Sequence, residues 1–107
     1  MNLILVITNL PDKTSALKLA EKLIIKRLAA CVNVQAECIS VYRWEDKIET
    51  ISELPIFIKT LTQHYNEIEK IIKAMHSDEL PEIITVPISG GLPAYLRWIS
   101  DETSDLK

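Results

Sequence analysis

Cys31-Val32-Asn33-Val34-Gln35-Ala36-Glu37-Cys38-Ile39-Ser40-Val41-Tyr42-Arg43-Trp44, then Glu45-Asp46, then the run from Lys47 to about Leu61, is the stretch that decides the fold. Val32, Val34, Ala36 and Cys38 alternate with Asn33, Gln35 and Glu37 until Ile39 and Val41 make both faces apolar. A period of two marks strand, because successive side chains point to opposite faces. Two such runs about a two-residue pause predict a hairpin, with Asp46 able to take the left-handed backbone the turn requires. Pro55 has no N–H to give to a ladder, so the return strand should carry a bulge or an edge there.

This hairpin is long for its chain. A strand of about fourteen residues spans roughly 45 Å at about 3.3 Å per residue. A compact chain of this length is only about 35 Å across. The hairpin must therefore curl or project. Its return strand is apolar on both faces, with Leu54, Ile56 and Ile58 on one and Ile51, Phe57 and Leu61 on the other. Helices in a two-layer fold cover one face, so the second is expected to meet a partner chain, with hairpins interlocked in an obligate oligomer.

Outward from the hairpin, Leu3 to Thr8 reads as a buried strand closed by Asn9-Leu10-Pro11. Asp12 is placed to cap a helix whose apolar stripe is read as Leu17, Ala20, Ile24 and Leu28. A second helix, Gln63 to about His76, carries Tyr65, Ile68, Ile72 and Met75 on one stripe; Glu82 to Ile88 reads as a strand. Pro93 opens a short helix with Tyr95, Leu96, Trp98 and Ile99, and the polar tail from Ser100 is expected to fray. The order β-α-β-β-α-β plus a helix predicts an α+β, ferredoxin-like sandwich, one domain over residues 1–107.

Composition narrows the function. With 12 Lys and Arg against 15 Asp and Glu, the net charge is −3, which offers no basic face for nucleic acid. Two glycines leave no phosphate cradle, and no run is long enough to span a membrane. The chain reads as cytoplasmic. Cys31 and Cys38, taken as seven apart on one continuous strand, should point to opposite faces and act as small buried hydrophobes. His64 and His76 lie about 18 Å apart along one helix and cannot share a site. His64 reads as solvated, and His76 as a helix C-terminal cap that could become a metal ligand, with Met75 adding a thioether for copper. Glu45, Glu49 and Glu53, with Lys47 and Lys59, suggest an ionic ladder across a subunit seam. No Ser-His-Asp or Cys-His arrangement can be assembled, so no catalytic residue is assigned and the chain is not read as an enzyme.

Lys26-Arg27-Leu28-Ala29-Ala30-Cys31-Val32-Asn33 resembles the most recognisable stretch of the CutA family, the divalent-cation tolerance proteins. Tyr42-Arg43-Trp44, Ile48-Glu49, Glu53, Ile58-Lys59-Thr60, His76, Pro81-Glu82, Gly91 and Tyr95-Leu96-Arg97-Trp98-Ile99 follow in the family's order. The resemblance implies a ferredoxin-like fold, a homotrimer with sheets packed inward, and a non-catalytic role in the response to metal ions, copper above all. It also departs from the pattern: His76 is followed by Ser77-Asp78 where the family has Pro-Tyr, and Thr8 stands where a first-strand cysteine is discussed as a ligand. The metal candidates are therefore His76 and Met75. The ligand-cleft candidates are Cys31, Tyr42, Trp44, Lys59, Glu82 and Trp98, with Lys59 as the anion contact. The other functions weighed are a trimer like the PII signalling proteins, binding a small anion between subunits, and a structural scaffold.

Overall fold

The computed structural model describes residues 2–104. Its elements are β1 (Leu3–Leu10), α1 (Lys13–Ile25), β2 (Cys31–Val34), β3 (Cys38–Trp44), β4 (Lys47–Leu61), a 3-10 turn (Thr62–His64), α2 (Tyr65–Met75), β5 (Ile83–Pro87) and α3 (Pro93–Glu102). The chain is α+β, a five-stranded antiparallel sheet with three helices, the strands ordered β2-β4-β1-β5 and β3 pairing the far half of β4. The long dimension is 47 Å against 25 and 23 Å, so the hairpin projects.

The outgoing arm of the hairpin is two strands rather than one. Val34 pairs with Ile56, but Cys38 pairs with Glu53, so Gln35, Ala36 and Glu37 face only Leu54 and Pro55. Pro55 explains the extra residue. A strand residue sends its N–H and C=O to the same neighbour, and the Pro55 carbonyl accepts from Gln35 N–H at 2.9 Å. The missing N–H therefore lies on that same side, where the ladder skips. This bulge reverses the facing of everything beyond it. Cys31 pairs with Lys59 and Cys38 with Glu53, six residues apart on β4, so the two cysteines share a face instead of opposing each other. Ser40 and Tyr42 follow Cys38 onto that face, while Ile39 and Val41 take the other.

On the helix-covered face, Val6, Ile56 and Ile58 are fully buried against Ala16, Leu19, Leu23, Ile68 and Ile72. Each of the Val, Leu and Ile side chains contributes about 1.5–3 kcal/mol by leaving water. The α1 stripe differs from the expected one: Leu17 and Ile24 are 45% and 43% exposed. Apolar residues run almost around α1, and the residues that meet the sheet lie one position before those the spacing suggested. The α2 stripe is as expected, with Ile68, Ile71 and Ile72 buried and Tyr65 and Met75 packed beside them. The second sheet face is covered in part by the chain itself, since α3 folds over it and buries Ile99 with Leu3 and Leu61. The tail expected to fray beyond Ser100 instead continues the helix to Glu102, and Thr103 is buried. Residues 105–107 lie outside the described residues.

The hairpin turn has Glu45 at φ 49° and Asp46 at φ 65°, both left-handed, as a type I′ turn demands. Asp46→Gly should therefore stabilise the chain by about 0.5–1 kcal/mol in urea unfolding, because glycine holds that backbone without a Cβ penalty. On α2, the Tyr65 hydroxyl donates to Glu69 Oε2 at 2.6 Å; this bond, then partial burial and the Glu69 charge, pushes the phenol up to about 12. The folded chain thus holds that proton more tightly than the unfolded one. The stability it contributes is intact below about pH 10 and lost as pH rises through about 12. Tyr65→Phe should flatten alkaline unfolding over that window.

Candidate functional site

Asn9 ends the apolar run of β1 on the face it shares with Glu53. Its side-chain amide donates to Glu53 Oε2 and to Glu82 Oε1, each at 3.0 Å. The reversed facing beyond the bulge brings Ser40 to the same carboxylate, where its hydroxyl donates to Glu53 Oε2 at 2.5 Å. Asn9 and Glu53 are 8% and 9% exposed, so a buried carboxylate rests here on two neutral donors. His76 closes the site from behind. It caps α2 through its N–H to the Ile72 carbonyl. Its side chain is 3% exposed. Nε2 donates to the Asn9 backbone carbonyl at 2.6 Å, and Nδ1 accepts from Asp78 N–H at 2.9 Å. These two bonds hold the ring as the Nε2–H tautomer.

Around Asn9 lies an open cavity of about 390 Å³, lined by Ser40, Val41, Tyr42, Glu53, His76, Asp78 and Glu82. Three of these are acids and none is Lys or Arg. The field is felt by Tyr42, whose phenol is pushed above its ordinary value by desolvation and then by the charges of Asp78, Glu49 and Glu53.

A second constellation sits on the far half of the same sheet face. Lys59 donates to the Tyr95 hydroxyl at 3.3 Å and lies 5.5 Å from the centre of that ring, which stacks on Trp98. Cys31 is opposite Lys59 in the ladder. The six cleft candidates are thus split within one chain: Cys31, Lys59 and Trp98 together, Tyr42 and Glu82 at the Asn9 cavity, Trp44 beside the hairpin turn. Lys59 and Glu49, the partner of Tyr42, stand ten residues apart on β4, or roughly 33 Å. Met75 packs on the helix-side core, and Thr8, fully buried on that side, does not line the cavity. His64 is half-buried in the 3-10 turn with Nε2 enclosed, rather than solvated, because the turn before α2 packs it inward. Among the described residues Glu45, Glu49 and Glu53 form no ion pair with Lys47 or Lys59; the ladder expected across a subunit seam would need a second copy of the chain. Nor do three His, Cys, Asp or Glu side chains gather closely enough there to hold a metal ion.

The sequence reading passed over Asn9 and Ser40 and took Glu53 for a ladder residue. The available signal was a polar Asn closing an otherwise apolar strand. Asn9→Asp tests the hub: it would set a third carboxylate between Glu53 and Glu82. The variant should lose about 3 kcal/mol of stability in urea unfolding at pH 7, and less at pH 4, where the added acid is partly protonated.

Comparison with known proteins matches the fold over nearly the whole chain. A family model described as CutA1 divalent ion tolerance protein matches residues 4–102. A rice relative, Protein CutA 1, chloroplastic, from Oryza sativa subsp. japonica, is 37% identical over 102 residues, covering 95% of this chain and 58% of its own length. The chain therefore spans little more than half of that relative. The crystal structure of CutA from Xylella fastidiosa superposes with a TM-score of 0.92 at 40% identity, covering 97% of this chain and all of its own. The periplasmic divalent cation tolerance protein CutA of Archaeoglobus fulgidus gives 0.92 at 34% identity, covering 95% and 99%.

Proposed function

The chain belongs to the CutA1 divalent ion tolerance protein family, and on that basis we propose that it acts without catalysis, as a homotrimer in the response to divalent metal ions. One observation supports association: the projecting hairpin holds Ile39, Val41 and Ile48 at 73%, 65% and 70% exposure, beyond the reach of its own helices, and the number three comes from the family resemblance. Apolar side chains on a structured arm are stabilised when another chain covers them. The strand order, with the bulged β2 and β3 counted as one strand, supports a ferredoxin-like protomer. A cytoplasmic location belongs to the same proposal and rests on the two free cysteines, which suit a reducing compartment. No helix among the described residues is long and apolar enough to cross a membrane.

Copper is the ion to test first, with His76 and Met75 as its contacts. The folded chain resists this. Both ring nitrogens of His76 are bonded and Met75 is packed on the core, so no imidazole lone pair is free and the pair does not fit copper as it stands. Binding there requires the ring to leave Asn9 or Asp78, and weak affinity is expected.

A second reading has its own observation. Lys59 lies half-buried against Tyr95 and has no carboxylate partner among the described residues, which suits a small anion held between subunits in the manner of the PII proteins. If so, one nucleotide or anionic metabolite in a thermal-shift screen should stabilise the wild type and not Lys59→Ala.

Native mass spectrometry with and without copper checks the first reading. Three chains per particle are expected, and Val41→Asp should yield monomer. Copper should add weakly to the trimer and vanish in His76→Ala. A monomeric wild type would overturn the trimer, and copper binding unchanged by His76→Ala would remove that residue.

A further inference from the structure

We propose that the outer face of α1 is a docking surface for an acidic peptide segment of a partner protein, drawn in by Lys18, Lys22 and Lys26 and anchored by one apolar side chain. This face lies on the helix layer, away from the sheet face and the hairpin arm that the trimer reading gives to other copies. It shares no residue with the copper or anion readings.

Charge is the starting point. Five of the 12 Lys and Arg fall within residues 13–27 beside a single acid, Glu21, so this stretch carries +4 in a chain whose net charge is −3. The acidic total hides a basic helix. Arg27 is engaged, its Nη1 donating to the Glu102 carbonyl at 3.2 Å. Lys18, Lys22 and the C-cap Lys26 are exposed, and none makes an ion pair among the described residues. At four-residue intervals they line one flank of the helix, about 6 Å apart along its axis. Alternate side chains of an extended peptide repeat at nearly that spacing, roughly 6.6 Å.

The apolar residues beside the lysines decide the class of partner. Ala16, Leu19 and Leu23 face the core, which leaves Leu17, Ile24 and above all Ile25, 79% exposed, on the outside. Ala20, Glu21, Ile24, Ile25 and Val32 surround an open hollow of about 260 Å³, room for one large apolar side chain. Nucleic-acid phosphates would satisfy the lysines but leave Ile25 and the hollow in water. A flat anionic bilayer would cover the whole face and press Glu21 against lipid phosphates, while the main apolar stripe of α1 is already buried in the core. A peptide avoids both. Its acids follow the lysine flank, one apolar side chain enters the hollow, and the neighbours of that anchor, facing Glu21, are uncharged. Opposite charge brings the segment to the helix, and burial of the anchor holds it there.

The test is fluorescence anisotropy of the full chain with a labelled peptide bearing Asp and Glu at alternate positions and one Leu beyond them. The controls are the same peptide with Asn and Gln for its acids, and with Ser for its Leu. The acidic peptide should bind about tenfold more tightly than either control, with affinity that falls as salt is raised. Lys22→Glu combined with Lys26→Glu should weaken it about tenfold, and a peptide with Lys for its acids should bind that double variant instead. Lys22→Gln combined with Lys26→Gln should weaken it in the same direction by less. Lys70→Glu combined with Lys73→Glu, the same change of charge on exposed positions of α2, should leave affinity within about twofold. No binding of the acidic peptide, equal binding of the neutral one, or an equal loss in the α2 variant would overturn the proposal. So would tighter binding to phosphatidylserine vesicles or to a single-stranded oligonucleotide, lost in the same lysine variants, which would assign the face to a lipid surface or to nucleic acid.

Discussion

Pro55 is the residue on which the rest depends. It lies in β4, which has β1 on one side and the outgoing arm of the hairpin on the other, and it lacks the N–H that the outgoing arm would use. The chain absorbs the loss with one extra residue between Val34 and Cys38. Because side chains alternate with a period of two, one extra residue turns every later side chain over. Ser40 and Tyr42 would otherwise share the helix-side face with Val32 and Val34. Instead they look toward Glu53, and Ile39 and Val41 are carried to the helix-side face, on a part of the arm that lies beyond the helices themselves.

Both functional features are shaped by that reversal. The acidic cavity exists because Ser40 and Asn9, from different strands, converge on one carboxylate that β4 delivers between them. The apolar arm is left uncovered because the hairpin projects beyond the helices, and the same reversal decides on which of its sides Ile39 and Val41 stand. A straight ladder would have left Glu53 without one of its two donors. The make-up of the cavity and the side on which the arm is apolar thus both trace to one missing hydrogen-bond donor.

Charge is distributed unevenly over the sheet face that carries both constellations. Among the described residues Lys59, on the half covered by α3, has an aromatic neighbour and no acid, and Glu53, toward the hairpin, has neutral donors and no base. They stand six residues apart on β4, roughly 20 Å, too far to neutralise each other through water at ordinary salt. Each end is left open to a ligand or chain of opposite sign, and the two ends make different demands.

By itself the sequence determined the kinds of element, their order, the left-handed turn at Asp46, the α2 stripe and the family resemblance. These rest on local periodicity and on residues whose backbone preferences travel with them. It also carried the length of the hairpin, from which projection followed. What it could not carry was phase. A continuous alternation from Val32 to Tyr42 hides a bulge, since the extra residue costs nothing in local pattern and is imposed by Pro55 on another strand. The face of α1 was undetermined for a related reason: Leu17 and Leu19 are equally apolar, and only contact with the sheet chooses between them. Asn9, Glu53 and Glu82 stand 44 and 29 residues apart in turn. No spacing rule joins them. Only the antiparallel packing of β1 between β4 and β5 brings them onto one amide.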